Sequence, residues 1–411
     1  MLSDDAIDKL IQPIVDRQEY INMYVIKTIA KRIKEIGKLL PSDVYKLERL
    51  LKNGADVREI NKVISQLTDL QVRQIQKIIK QVALDSYKDA EPYYNYKKKP
   101  YIPFDENKDL QRVVSAIANE TANEYINLSK AQAFMIRDLK NPKVLKPTSI
   151  SKTYYSVIDE AVQASQSGVI DYNTAMRRTI KQLVDSGIRR VEYDPESGRR
   201  YTQRLDTAVR RNLLGGIRAI NQGVQDEVGK QFGADGKELS VHLNSAPDHE
   251  PIQGHQFTNE EFDKLQNALP FKDINGREFE PIERAIGIWN CRHFAFSIVI
   301  GVNKPVYNQA RLNELIEKNH EGYTLPSGKH LTLYECSQRQ RQLETEIRYA
   351  KENQMAFKEA GNMDEAKVWN GKVNELLREY HSFCTDAKLK PQTDRYYVEG
   401  YKPLTAKEMS E

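Results

Sequence analysis

The sequence predicts a mostly helical α+β fold, with a helical N-terminal part, a small α+β central domain and a C-terminal antiparallel helical hairpin. Three observations carry this. Apolar residues recur at three-, four- and seven-residue intervals through most of the chain, the spacing that collects them on one helix face. Between residues 235 and 334 that period gives way to short alternating runs and an Asn-Gly turn, as strands require. A glycine followed by a capping box then separates two further helical runs near residue 361. The expected organisation is a helical region over 1–90, a Pro/Tyr/Lys arm over 91–106, and a helical region with an arginine-rich hairpin and a long helix over 107–234. A compact α+β domain over 235–334, the helical hairpin over 335–390 and a tail over 391–411 complete it.

Composition narrows the class. Of 411 residues 39% are hydrophobic and 29% charged, enough for a real core but with much surface. No apolar run approaches the roughly 18 residues that span a bilayer, and the acidic start lacks the apolar core of a signal peptide. Cys291, Cys336 and Cys384 are odd in number and far apart, which favours a reduced protein over a disulfide scaffold. The net charge of +4 is too small for the chain's length to imply a nucleic-acid role by itself.

In chain order, Ile14, Ile21, Val25, Ile29, Ile33 and Ile36 mark a first helix. Ser42 and Gly54 bracket a second with Val44, Leu47 and Leu51. Asp56 opens a helix carrying Val57, Ile60 and Ile64, and Leu70 to Val82 reads as another. Residues 91–103 hold three prolines, four tyrosines and a lysine triplet, which predict an extended connector. Tyrosine and lysine together suit stacking on nucleic acid; a loop laid over a neighbouring surface is the more common use. Helix resumes over 107–138, 151–167 and 173–186, and a hairpin follows with arms Arg189–Tyr193 and Arg199–Thr202. Asp206 caps a long helix that Gly233 stops.

Ten arginines lie between residues 177 and 218 against five acidic residues. Among them Arg189, Arg190, Arg199, Arg200, Arg204, Arg210 and Arg211 are candidates to contact DNA phosphates or an acidic protein partner, or to form a solvated face. Glu238 to Asn244 alternates as a strand, Thr258 to Glu261 is a capping box, residues 271–282 form a hairpin around Asn275-Gly276, and Phe294 to Ile300 reads as a buried strand. Two helices, through Leu343 to Phe357 and Ala366 to Phe383, meet at Gly361 and the capping box Asn362 to Glu365.

Chemistry concentrates between residues 242 and 293, which hold four of the seven histidines. His242, His249, Cys291 and His293 are nitrogen and sulfur donors of the kind zinc takes, at spacings unlike the common zinc signatures. Cys291 could instead act as a nucleophile with His249 or His293 as base, oriented by Asp248 or Asn290. The third reading is a buried polar network of His242, Asp248, His249, Gln253, Asn290 and Arg292 that ties loops to a small sheet. No cofactor is expected on that third reading, zinc being the alternative. Phosphate-cradling glycine motifs are absent from the sequence.

The order His242, Pro247, His249, Gln253, Gly254, then Trp289, Asn290, Cys291, Arg292 and His293, resembles the phage minor capsid protein 2 family of tailed phages of Gram-positive hosts, related to the Mu F-type head-morphogenesis proteins. Gln340-Arg341, Glu344, Ile347-Arg348, Ala360-Gly361 and the aromatic run from Arg395 to Tyr401 are similar to the family's C-terminal part. The resemblance implies a structural virion protein and no enzyme. It implies association with the portal vertex, help in head assembly, DNA packaging or DNA delivery, and a place in the phage head or connector after assembly in the host cytoplasm. Portal, capsid and scaffold proteins would be partners, with packaged double-stranded DNA as a further one and no membrane segment. The competing expectation is a metal-dependent or Cys/His DNA-processing or toxin-like enzyme centred on residues 242–293.

Overall fold

The computed structural model describes residues 4–37, 54–137, 144–167, 172–193, 200–287 and 291–410. It is mostly helical, with small antiparallel sheets. Two compact units form, each from three separated stretches: Met1–Ile11, Val72–Tyr125 and Arg211–Arg339 in the first; Gln12–Gln71, Ile126–Arg210 and Gln340–Glu411 in the second. The segments read from the sequence run consecutively, whereas these units interleave along the chain. Among the described residues no helix is long and apolar enough to cross a membrane.

Helix α1 (Asp4–Ile36) buries Ile14, Ile21, Val25, Ile29, Ile33 and Ile36, the stripe predicted for it. Helix α2 (Ala55–Lys88) is one 34-residue helix where two were expected. The stretch between the two runs holds no proline or glycine, and the Thr68 hydroxyl donates to the Ile64 carbonyl at 2.8 Å, so nothing there ends the helix. The serine-capped helix expected over 42–51 lies outside the described residues.

In the first unit, the predicted Pro/Tyr/Lys arm is packed rather than extended. Residues Glu91–Tyr96 make a short helix, α3. Pro92 sits in its first turn, where a missing N–H breaks no helical hydrogen bond. Tyr94 is buried, its hydroxyl donates to Gln231 Oε1 at 2.7 Å, and its ring meets Phe232 edge-on at 4.9 Å. Tyr101 stacks on Tyr87 at 4.9 Å. The common use of such stretches, cover for a neighbouring surface, is the one adopted.

Helix α4 (Lys108–Lys130) lies against α7 (Leu205–Gln231) through two glycines of α7. A Cβ on Gly216 would come 2.4 Å from Thr121 Oγ1, and one on Gly223 2.7 Å from Val113 Cγ1. Strands β5 (Gly236–Leu239), β6 (Gln256–Thr258) and β9 (Ala295–Ile298) form an antiparallel sheet with β5 in the middle. The segment at 294–300 was expected to be a buried strand. It is an edge strand with Phe296 exposed, which its apolar composition did not reveal. Thr258 caps α8 (Asn259–Gln266) by accepting from Glu261 N at 3.1 Å. Strands β7 (Phe271–Lys272) and β8 (Glu278–Phe279) pair around Gly276, whose φ of +80° suits glycine. Helix α9 (Gln309–Glu321) and the pair β10 (Tyr323–Thr324) and β11 (His330–Leu331) follow.

In the second unit, β1 (Gln132–Arg137), β2 (Leu145–Ser149), β3 (Arg189–Tyr193) and β4 (Arg200–Arg204) form an antiparallel sheet ordered β2-β1-β3-β4. The β3–β4 hairpin is as predicted, with Arg189 opposite Arg204; its turn lies outside the described residues. β1 corrects the sequence reading, which carried helix through to residue 138. Its six residues are too short to show a period, and its partners Ser149 and Arg190 are distant in sequence. Helices α5 (Ile150–Ser167) and α6 (Tyr172–Ser186) accompany the sheet. The C-terminal hairpin is α10 (Leu333–Glu359) and α11 (Met363–Asp386), the Asn362 side chain accepting from Glu365 N at 3.2 Å. The tail folds back on it: Tyr396, Val398 and Leu404 are buried, and Lys351 Nζ donates to the Tyr396 carbonyl at 2.7 Å.

A buried ion network joins this unit's elements. Arg204 grips Glu352 through two bonds of 2.6 and 3.0 Å, and Arg348 Nη1 donates to Glu19 Oε1 at 2.8 Å and Asp206 Oδ2 at 2.7 Å. Burial works against the Asp206 carboxylate, but the two guanidiniums hold its pKa down at about 2. Burial prevails at Glu19, pushing its pKa up to about 8 despite Arg348. Three carboxyls face two guanidiniums, so a proton on Glu19 cancels the surplus negative charge. In the unfolded chain the same group ionises near 4.5. The folded state therefore binds this proton more tightly, and its contribution to stability is complete below pH 4.5 and lost as pH rises to about 8. Glu19→Gln keeps the neutral shape, so its melting temperature should fall less than that of the unmodified protein between pH 6 and 9. Parallel curves would show that Glu19 is not protonated in the fold.

Candidate functional site

The site is a product of the three-stranded sheet. After β5 the chain leaves in a loop, residues 240–255, and returns as β6. The loop's base is closed by Leu239 N to His255 O and Gly254 N to Leu239 O, both 3.1 Å. Gly254 has φ +73°, and a Cβ there would meet Leu312 Cδ2 at 2.5 Å, so both conformation and space call for glycine. The segment entering β9 is stitched alongside by Ser240 N to Phe294 O and Phe294 N to Ser240 Oγ, both 2.8 Å. That stitching brings residues 249, 291 and 293 together.

Three of the four predicted ligands converge. Cys291 Sγ lies 3.4 Å from His249 Nδ1 and 3.5 Å from His293 Nδ1. The donor atoms of these three buried residues all lie within 4.8 Å of one another, the only such His/Cys/Asp/Glu group among the described residues. His249 Nε2 donates to the Arg284 carbonyl at 2.7 Å, and His293 Nε2 faces Gln253 Oε1 at 3.4 Å and Ser245 Oγ at 3.5 Å. His242 is set apart. Its ring meets that of His293 edge-on at 4.9 Å, and its Nε2 lies 3.2 Å from Ser240 Oγ. Burial disfavours charge on both Cys291 and His249, yet their mutual contact outweighs it, lowering the thiol's pKa and raising the imidazole's. His293 is held well below the usual histidine range by burial and by the neighbouring His242, His249, Arg218 and Arg284.

The predicted polar network is present in part. Gln253 Oε1 accepts from His242 N at 2.9 Å. Asp248 is held by Arg284 through both oxygens, one bond being 3.1 Å; burial opposes its charge, but Arg284 keeps its carboxyl below the usual range. Arg292 pairs with Asp8 at 3.6 Å. Trp289 and Asn290 lie outside the described residues. His255, the fourth histidine of the stretch, is occupied with Asp273 at 2.9 Å.

Arg284, Ser240, Ser245 and Asn319 escaped the sequence reading. Arg284 fixes both Asp248 and His249. Asn319 Nδ2 donates to Glu250 Oε1 at 2.7 Å, binding α9 to the loop. No spacing rule connects these positions, and only the folded loop makes them neighbours.

The arginine strip does not form one outward face. Arg204 points inward to Glu352 and Asp206, which corrects its assignment as a contact residue. Arg189 donates to the Ser186 carbonyl at 3.1 Å and to Thr202 Oγ1 at 3.3 Å. Arg210 donates to Gln12 Oε1 at 3.0 Å. Arg190 and Arg211 are half-buried, only the backbone of Arg200 is described, and Arg199 lies outside the described residues.

The family model for phage minor capsid protein 2 matches residues 2–384, nearly the whole chain and both halves of the histidine and cysteine site. The chain belongs to the phage minor capsid protein 2 family. It is thus a structural protein of the phage virion, as the ordered motifs had implied. No curated protein and no solved structure matches it. In this minor capsid protein the site sits within a family whose name describes a part of the particle, which favours the head-protein expectation over a DNA-processing or toxin-like enzyme.

Proposed function

We propose that this minor capsid protein associates with the portal vertex and assists head assembly, DNA packaging or DNA delivery, joining portal, capsid and scaffold proteins in the host cytoplasm during assembly. The family match over residues 2–384 is the observation that carries this reading. The fold is compatible with it: two helical units with internally paired charges, and loops held down by aromatic rings, suit a component that must keep its shape while gripping neighbours. Co-expression with the portal protein of the same phage is the direct test. The chain should elute with tagged portal protein, and failure to do so at every salt concentration would overturn the portal association.

The strip's partner is tested separately. Arg204 is omitted because it serves the interior. If Arg199, Arg200, Arg210 and Arg211 meet packaged DNA, retention on double-stranded DNA should weaken with salt and be lost when all four are changed to Glu. Undiminished retention in that variant would remove the strip as the DNA contact.

A further inference from the structure

We propose that His249 Nδ1, Cys291 Sγ and His293 Nδ1 form a three-residue site for zinc, with a solvent molecule as the fourth ligand. The inference rests on geometry within one unit and is independent of the portal reading.

Both sulfur–nitrogen spacings fit the ion. Zinc–sulfur and zinc–nitrogen bonds of about 2.3 and 2.0–2.1 Å at a tetrahedral angle put sulfur and nitrogen about 3.5 Å apart. The two observed separations are 3.4 and 3.5 Å. Ring orientation fits as well. His249 gives its Nε2 proton to the Arg284 carbonyl, and His293 Nε2 faces the Gln253 side-chain oxygen. Both rings therefore turn an Nδ1 lone pair toward the same sulfur. Ligating histidines are held in this way, by an oxygen acceptor on the far nitrogen. A thiol proton could serve only one of those two lone pairs, whereas a cation serves both and the sulfur together.

Three protein ligands and one solvent molecule make an open kind of zinc site, set here in buried surroundings. Cys291 belongs to the apolar cluster with Leu239, Ile252, Phe257 and Phe262, and all three ligands are buried. His249 comes from the loop after β5 and the other two from the segment entering β9, so the ion would staple the two connections of a sheet only three strands wide. Small sheets with little core gain much from such a link. His242, half-buried beside His293 and engaged with Ser240, lies outside the group of three.

The test uses the full chain without a polyhistidine tag, purified without chelator. Elemental analysis should find one zinc per chain, and cobalt(II) exchanged into the site should show a thiolate-to-cobalt charge-transfer band. Cys291→Ser should abolish that band, while Cys336→Ser and Cys384→Ser keep it. Gln253→Leu, which removes the oxygen that faces His293 Nε2 and accepts from His242 N, should weaken cobalt affinity about 10–100-fold with the band's position unchanged. His242→Ala should retain the metal; its loss there would overturn the three-residue assignment. Circular dichroism melts report whether each variant is folded. Metal-free protein that melts cooperatively and yields no cobalt band, or a band that survives Cys291→Ser, overturns the proposal.

Discussion

Arg204→Met is expected to destabilise the second unit by about 3–5 kcal/mol, the cost of leaving buried carboxylates without their cation. The guanidinium makes two bonds to Glu352, of 2.6 and 3.0 Å, and a third to Asp206 at 3.3 Å. Glu352 is fully buried, so water cannot replace the lost partner. Chemical denaturation followed by circular dichroism would measure the loss. The double variant Arg204→Met with Glu352→Leu should recover much of it, because an apolar pair of similar volume leaves one charge fewer stranded. If the single variant costs under 1 kcal/mol, about the worth of an exposed ion pair, the guanidinium is not anchored as described.

Phe257→Ala should cost a comparable amount, about 3–5 kcal/mol, and should also disturb the metal-binding candidate. Phe257 is wholly buried on β6, with Phe271 edge-on at 5.8 Å and Phe279 at 6.1 Å. Phe271 and Phe279 stack at 5.4 Å across the β7–β8 hairpin, so removing the central ring leaves a cavity bounded by aromatic faces. Cys291 is part of the same cluster. In a Cys336→Ser, Cys384→Ser background, its reaction with a thiol reagent should be slow in the parent and much faster in Phe257→Ala. Phe257→Leu, which fills most of the volume, should lie between them. Equal thiol rates in all three would show that the aromatic cluster does not support the site.

How far these features were legible depends on their range in sequence. The caps Thr258 and Asn362, the Asn-Gly hairpin and the stripe of α1 were readable because the groups that make them lie within a few residues of one another. The β1 strand was not, because its pairing partners are residues 145–149 and 189–190. The tyrosine-rich segment was half legible. Its prolines mark a break, but only the positions of Tyr87 and Phe232 show that it packs. The same limit applied to charge. Arg204 resembles its neighbours Arg199 and Arg200 in the sequence, and the buried Glu352, 148 positions away, decides that it points inward.

By itself the sequence determined the helical class, the α+β insert, the C-terminal hairpin and the family, through local periodicity and two ordered motifs. It also nominated His249, Cys291 and His293. Tertiary structure decided which nominees meet: it separated His242, diverted His255 to Asp273 and supplied the Arg284 carbonyl and Gln253 as orienting acceptors. The reason is physical. Helix periods and caps are set by interactions along a few residues of backbone, whereas a cluster of donors depends on loops whose ends are joined through the sheet between them.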